Sequence, residues 1–254
     1  MAVQFVQAWP GTNSQQTGQT TYGWSGGISN GNSPQAVGAA NAQVTVGNLV
    51  IVWAINFTES APDIDPVADW SMTDNATTPN SYTLLCSITG IASQASALAV
   101  YGSIIKYLPS AGNLNPTISS TGITGGDAFS VAAAEFSGGT LSLDGLSTHS
   151  IPQPASGSST PGTITTTVNN DLIIEICEYD NRTDNNFQPL AGYTSVAFNS
   201  DGATYIMGGA SFLIANGIYS ANPTWNTNTA DGTQIAQFAL MPAPAPPNFY
   251  GTTA

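Results

Sequence analysis

Glu175, Glu178 and Asp180 fall together in the run Glu-Ile-Cys-Glu-Tyr-Asp. Paired carboxylates of this kind serve glycoside hydrolysis, where two acids flank one scissile bond. On a strand, successive side chains alternate faces, so Glu178 and Asp180 share a side while Glu175 points the other way. The spacing therefore argues against a local catalytic pair and for a strand end running into a polar loop; Glu135, on a separate strand, is the remaining acid that could approach. His149, the sole histidine, sits in Ser-Thr-His-Ser beside a Pro-rich stretch. A Ser-His-Asp triad needs such a base, but no Gly-x-Ser-x-Gly elbow accompanies it. It reads as a loop histidine. One histidine and two distant cysteines do not make a zinc site. No catalytic residue is assigned, and the chain is not expected to be an enzyme.

Hard cations take oxygen ligands from loops. Asp63, Asp65 and Asp69 crowd one polar segment, and Asp180 and Asp184 another. Neither has the glycine and terminal glutamate of an EF-hand. Asp63, Asp65, Asp180 and Asp184 are the candidate calcium ligands, set against the plainer reading of solvated acidic loops; no other cofactor is expected. Trp9, Trp24, Trp70 and Trp225 lie in or near Asn- and Gly-rich loops. A ring face can stack on a sugar, which makes Trp70 and Trp225 candidate glycan contacts. Packing onto the core or an oligomer contact is the safer reading for any single one. The sequons at Asn56, Asn75 and Asn181 are what chance gives in a chain this rich in Asn and Thr.

The elements that must carry these residues are strands. Gly (26) and Pro (16) are abundant alongside Ser, Thr and Asn, while Glu, Lys and Arg are scarce, so turns and strands are favoured over helix. Leu49 to Ile55 is a continuous apolar run, as in a sandwich core. Leu172 to Tyr179 is another core strand, and Ile235 to Leu240 closes the series. Some ten strands with turn signals between them predict an all-β, antiparallel β-sandwich. Residues 1–43 read as an N-terminal arm or edge segment, 44–240 as the sandwich domain, and 241–254 as a Pro-rich extended tail. Residues 149–162 read as the connection between two halves. Val46-Gly47-Asn48-Leu49-Val50-Ile51 echoes Val168-Asn169-Asn170-Asp171-Leu172-Ile173-Ile174; this reads as similar hairpin chemistry rather than a duplicated domain. Phe249 and Tyr250, beyond the prolines, are candidate oligomer contacts. Cys86 and Cys177 sit in apolar runs, as buried thiols or as a disulfide that sequence cannot decide.

Charge removes whole classes of partner. Lys106 and Arg182 are the only basic residues against 15 Asp and Glu, and the net charge is -13. Nucleic-acid affinity comes largely from Lys and Arg displacing counterions, and attraction to anionic membranes from the same residues. Neither partner is expected. The N-terminus has no basic region followed by an apolar run, so no signal peptide is read there.

Several segments taken in order resemble a widespread β-sandwich module of bacterial surface proteins and phage structural proteins: Val46-Gly47-Asn48-Leu49-Val50-Ile51, Ser81-Tyr82-Thr83, Leu98-Ala99-Val100-Tyr101, Ala134-Glu135-Phe136-Ser137-Gly138 leading to Leu143-Asp144-Gly145, Thr165-Thr166-Thr167 through Asn170-Asp171-Leu172, Gly192-Tyr193-Thr194, and Trp225 before Ala236-Gln237-Phe238. The likeness covers about residues 44–240. In that module a more basic stretch commonly follows the strand around Tyr101; here only Lys106 stands there. The resemblance implies a jelly-roll-like sandwich in an adhesive or structural role and carries over no catalytic residue. Resemblance and charge together lead to an expected non-enzymatic, outward-facing virion subunit (a capsid decoration, head-fibre or tail-associated protein), made in the host cytoplasm. It would be a homo-oligomer in contact with other virion proteins. The alternative is a carbohydrate-binding or adhesive module on a phage or bacterial surface, acting outside the cell.

Overall fold

In the computed structural model of the chain, the described residues are 2–15, 21–23, 43–58, 65–89, 95–111, 114–120, 128–151, 157–159, 162–179, 192–200, 207–221, 225–227 and 233–244. The first part runs β1 (Gln4–Gln15), β2 (Thr21–Gly23), β3 (Leu49–Thr58), the one-turn helix α1 (Pro66–Asp69), β4 (Trp70–Thr73), β5 (Thr83–Ile88), β6 (Ala95–Ile104), β7 (Thr117–Ser120) and β8 (Ala128–Ser137). The second part runs β9 (Gly139–Ile151), β10 (Gly157–Ser159), β11 (Ile164–Thr165), β12 (Leu172–Tyr179), β13 (Thr194–Ser200), β14 (Met207–Ile214), β15 (Ser220–Ala221), β16 (Trp225–Thr227) and β17 (Thr233–Pro242).

Two five-stranded sheets dominate, in the orders β1-β8-β3-β6-β5 and β13-β14-β12-β17-β9, and every pairing in them is antiparallel. The expected all-β antiparallel sandwich is the architecture found. Ten strands make the two sheets, and among the described residues seven shorter ones lie outside them, more strands than the roughly ten expected. The continuous apolar runs are the two central strands. Leu49 to Ile55 of β3 are all at most 1% exposed, because a strand covered on both faces has no use for alternation. In β12, Leu172, Ile174 and Ile176 join the core between the sheets, whereas Ile173 packs outward with Ile164, Ala215 and Ala239.

The rings of Phe5, Phe136 and Phe212 tie the sheets together. Phe5 stacks on Phe212 at a centroid distance of 5.0 Å, and Phe136 meets Phe212 edge-on at 5.4 Å. These arrangements suit the aromatic quadrupole. At another point of contact Gly102 leaves room for Leu141, whose Cδ2 would lie 2.6 Å from a Cβ placed on the glycine.

The chain passes between the two large sheets at Gly138, which joins β8 to β9 with a φ of 72°. A jelly roll instead threads successive strands back and forth between its sheets. The stretch 149–162 does not connect the halves: its described residues belong to the end of β9 and to β10, inside the second half. A two-residue glycine joint suffices because β8 and β9 end and begin at the same rim. Cys86 and Cys177 are both buried thiols outside any disulfide. Burial pushes the Cys86 thiol up to about 12. The Pro-rich tail beyond Pro244, with Phe249 and Tyr250, lies outside the described residues.

Candidate functional site: the turn end of the sandwich

The turn before β3 and the turn before β12 lie at the same end of the molecule. Gly139, at the start of β9, presses on Leu49, the first residue of β3. Gly139 also pairs with Pro242, two residues past Leu240, the partner of Leu172 at the start of β12. Gly138 accepts a hydrogen bond from the Ala243 amide at 2.7 Å. An open cleft of about 570 Å³ lies here, lined by Ala2, Gln4, Val46, Asn48, Gly138 and Ala243 among others.

Beneath the first turn is a buried carboxylate. Glu135 of β8 is 0% exposed. Its Oε2 accepts from Gln7 Nε2 at 2.5 Å, and its Oε1 accepts from the Thr45 amide at 2.9 Å and from Asn48 Nδ2 at 2.7 Å. Three donors compensate the desolvation of the carboxyl group. Gly47, at φ 93°, then reverses the chain. Its amide donates to the Ile105 carbonyl, while the Ile105 amide donates to that of Asn48. Glu135 thus holds the turn in place, and none of its partners is a group for acid–base chemistry.

The second turn is held by an acid pair. Asp144 Oδ1 accepts from Thr167 Oγ1 at 2.6 Å, and its Oδ2 accepts from the Thr167 amide. Asp171 is 0% exposed and lies beside it. Burial, reinforced by the hydrogen bond to Asp144 and by its charge, pushes Asp171 up to about 7. Burial opposes the charge on Asp144, but bonds from Asp171, Thr167 and Val168 outweigh it and hold Asp144 below the usual carboxylate range.

A third acid organises the loop behind the first turn. Asp74 Oδ1 accepts from the Ala76 and Asn80 amides, and its Oδ2 accepts from Asn80 Nδ2 at 2.8 Å and Tyr82 OH at 3.0 Å. Burial, then the charge and hydrogen bond of Asp74, push the Tyr82 phenol well up. Asn80 Oδ1 in turn accepts from the Lys106 and Tyr107 amides. The braced segment carries exposed Lys106 and Tyr107 to the same end as Val46. Around the second turn, Leu143, Val168, Ile218 and Tyr219 are also exposed, Ile218 at 74%.

The residues singled out from sequence fall as follows. Asp65 caps α1, accepting from the Val67 amide at 3.0 Å, and its own amide donates to Asp69 Oδ2. Asp65 and Asp69 are therefore both engaged with backbone N–H groups. Asp63, Asp180 and Asp184 lie outside the described residues. Among the described residues no group of three or more acid, histidine or cysteine side chains is arranged to hold a metal ion. The Trp70 ring is 6% exposed and belongs to the core, so it offers no face to a sugar. Trp225 lies on β16, opposite Ser159, and its side chain is outside the description. His149 sits on β9 opposite Ile235, in a strand rather than a loop. Glu175 and Glu178 are on β12 of the second sheet and Glu135 on β8 of the first. Sequence reasoning passed over Gln7, Asn48, Asp144 and Asp171. The signal for them was present: each stands at or next to a turn or a strand bulge in an apolar stretch, where a polar side chain needs a partner.

Comparison with protein-family models, with curated proteins and with solved structures gives no match.

Proposed function

We propose that this chain is a non-enzymatic structural subunit on the outer surface of a virion, an acid-rich sandwich seated on the particle by its turn end. The observation that supports this reading most is the use made of its buried acids. Glu135, Asp74 and Asp144 accept from backbone amides and from Gln, Asn, Thr and Tyr donors, which makes them pins for turns. The net charge of -13 points the same way. A surface so poor in cations repels packaged nucleic acid and suits an outward position.

The test is fractionation of lysed host cells on a density gradient. A particle subunit sediments with intact particles at a fixed copy ratio and withstands a high-salt wash. A free carbohydrate-binding module stays at the top of the gradient and is retarded on a polysaccharide matrix, a retardation that Trp225→Ala abolishes. Recovery in the soluble fraction alone, without particles, contradicts the proposal.

A further inference from the structure

The two large sheets follow one plan. Numbering the main strands of each part by order along the chain, the first part has β1, β3, β5, β6 and β8, and the second has β9, β12, β13, β14 and β17. In both sheets the spatial order is then third, fourth, second, fifth, first. Ten strands would arrive at the same non-trivial order twice only rarely by chance.

The correspondence extends to single residues. Leu49 of the central β3 pairs with Ile104 and Phe136, and Leu172 of the central β12 pairs with Ile214 and Leu240. One residue before each central strand the same reciprocal bonds occur. The Gly47 amide donates to the Ile105 carbonyl and the Ile105 amide to that of Asn48; the Asn170 amide donates to the Ala215 carbonyl and the Ala215 amide to that of Asp171. Gly47 and Asn170 both have positive φ, 93° and 67°. Asn is a residue that tolerates this region where most do not.

Irregularities match as well, which pattern convergence does not explain. The third strand of each sheet has a bulge at the same place, between Leu84 and Cys86 in one and between Ser195 and Ala197 in the other. Each of these strands begins at the threonine of a Tyr-Thr pair, Tyr82-Thr83 and Tyr193-Thr194. The first strand of each sheet bulges too. Phe5 and Gln7 face the neighbouring residues Phe136 and Glu135, as Leu143 and Gly145 face Leu240 and Ala239. A three-residue ribbon, β2 with β7 and β10 with β16, joins corresponding connections.

We infer that the chain is a tandem duplication of one five-stranded unit, so that the inner face of each sheet is an interface built for a second copy of its own kind. The turns before β3 and β12 share an end, so the operation relating the halves is a two-fold rotation about an axis along the strands. That rotation turns the contact of β1 with β13 into a contact of β9 with β5, and both contacts are present. This is the signature of an isologous interface. The Phe212–Phe5 stack on one side and the Gly102–Leu141 fit on the other each join the first strand of one unit to the fourth strand of the other, one large-to-large and one small-to-large. Gly138 links the end of the first unit to the start of the second. The same rotation places the end of β17 beside the start of β1, where Ala243 and Ala2 line one cleft.

The two crossovers are therefore interchangeable, and a circular permutant tests this. The chain is opened at Gly138 so that it begins at Thr140, runs to Met241, continues through a new Gly-Gly pair into Ala2, and ends at Ser137. This keeps the ten main strands apart from the terminal residues Gly139 of β9 and Pro242 of β17, and copies the Gly138-Gly139 joint to the opposite corner. A second permutant carries a long Gly/Ser joint at the same place. The expected result is that the Gly-Gly permutant is a monomer with the parent's amide fingerprint, melting cooperatively within ~10 °C of it. If only the long-joint permutant folds, the two corners are not equivalent and the duplication is wrong. If neither folds, the second joint cannot replace the first, which overturns the inference equally. The outcome is independent of whether the protein resides on a particle.

Discussion

Truncating Glu135 strips the acceptor from Gln7, the Thr45 amide and Asn48 at once. Unsatisfied buried donors cost more than the hydrogen bonds themselves contribute. Glu135→Ala is expected to lower the unfolding free energy by about 3 kcal/mol or more, and Glu135→Gln by roughly 1–3 kcal/mol, because the amide keeps one acceptor but turns two donors toward Gln7 or Asn48. Urea titration followed by tryptophan fluorescence reads both. Asp171 gives a pH signature. Its folded pKa, about 7, lies above the ordinary 3.8. Below pH ~4 both folded and unfolded chains hold this proton; as pH rises the unfolded chain ionises first, so the folded chain loses stability until pH ~7. Asp171→Asn removes that slope. Its melting temperature relative to the parent is expected to rise between pH 4 and pH 8, and an unchanged difference across that range would contradict the raised pKa of Asp171.

The element scale shows what was legible in the sequence. Leu49–Ile55 and Leu172–Tyr179 announced themselves as core strands because a centre strand is apolar on both faces, and they are the centres of their sheets. The paired turn motifs before them were equally visible, yet they read as common hairpin chemistry. Their significance lies in strand order, which six-residue motifs do not encode. The acid pins were hidden for a related reason. Glu135 meets Thr45 across 90 residues of chain and Asn48 across 87, and only pairing register brings them together. Trp70 looked like a loop tryptophan because its neighbours are polar, whereas its ring turns inward on a four-residue strand. Packing between the sheets yields its own expectation. Gly102→Val places methyl groups where Leu141 Cδ2 and Leu85 Cδ1 already sit, and overpacking of this kind costs about 1–3 kcal/mol. A thermal melt that shifts by no more than experimental error would show that the two sheets are not in contact at this point.

At the scale of the whole molecule, two copies of one sheet unit face each other and both present their turns at one end. Exposed Val46, Lys106 and Tyr107 come from the first unit, and Leu143, Val168, Ile218 and Tyr219 from the second. Apolar residues grouped on an otherwise acidic surface mark a surface for contact. A virion subunit would use this end against the particle and turn the remaining acidic surface to solvent. The most direct measurement is electron cryo-microscopy of intact particles isolated from the lysate. The account predicts density for this two-sheet sandwich on the outer surface, at fixed symmetric positions, with its turn end seated on neighbouring subunits. Density lining the interior against packaged nucleic acid, or particles complete without the chain, would contradict it.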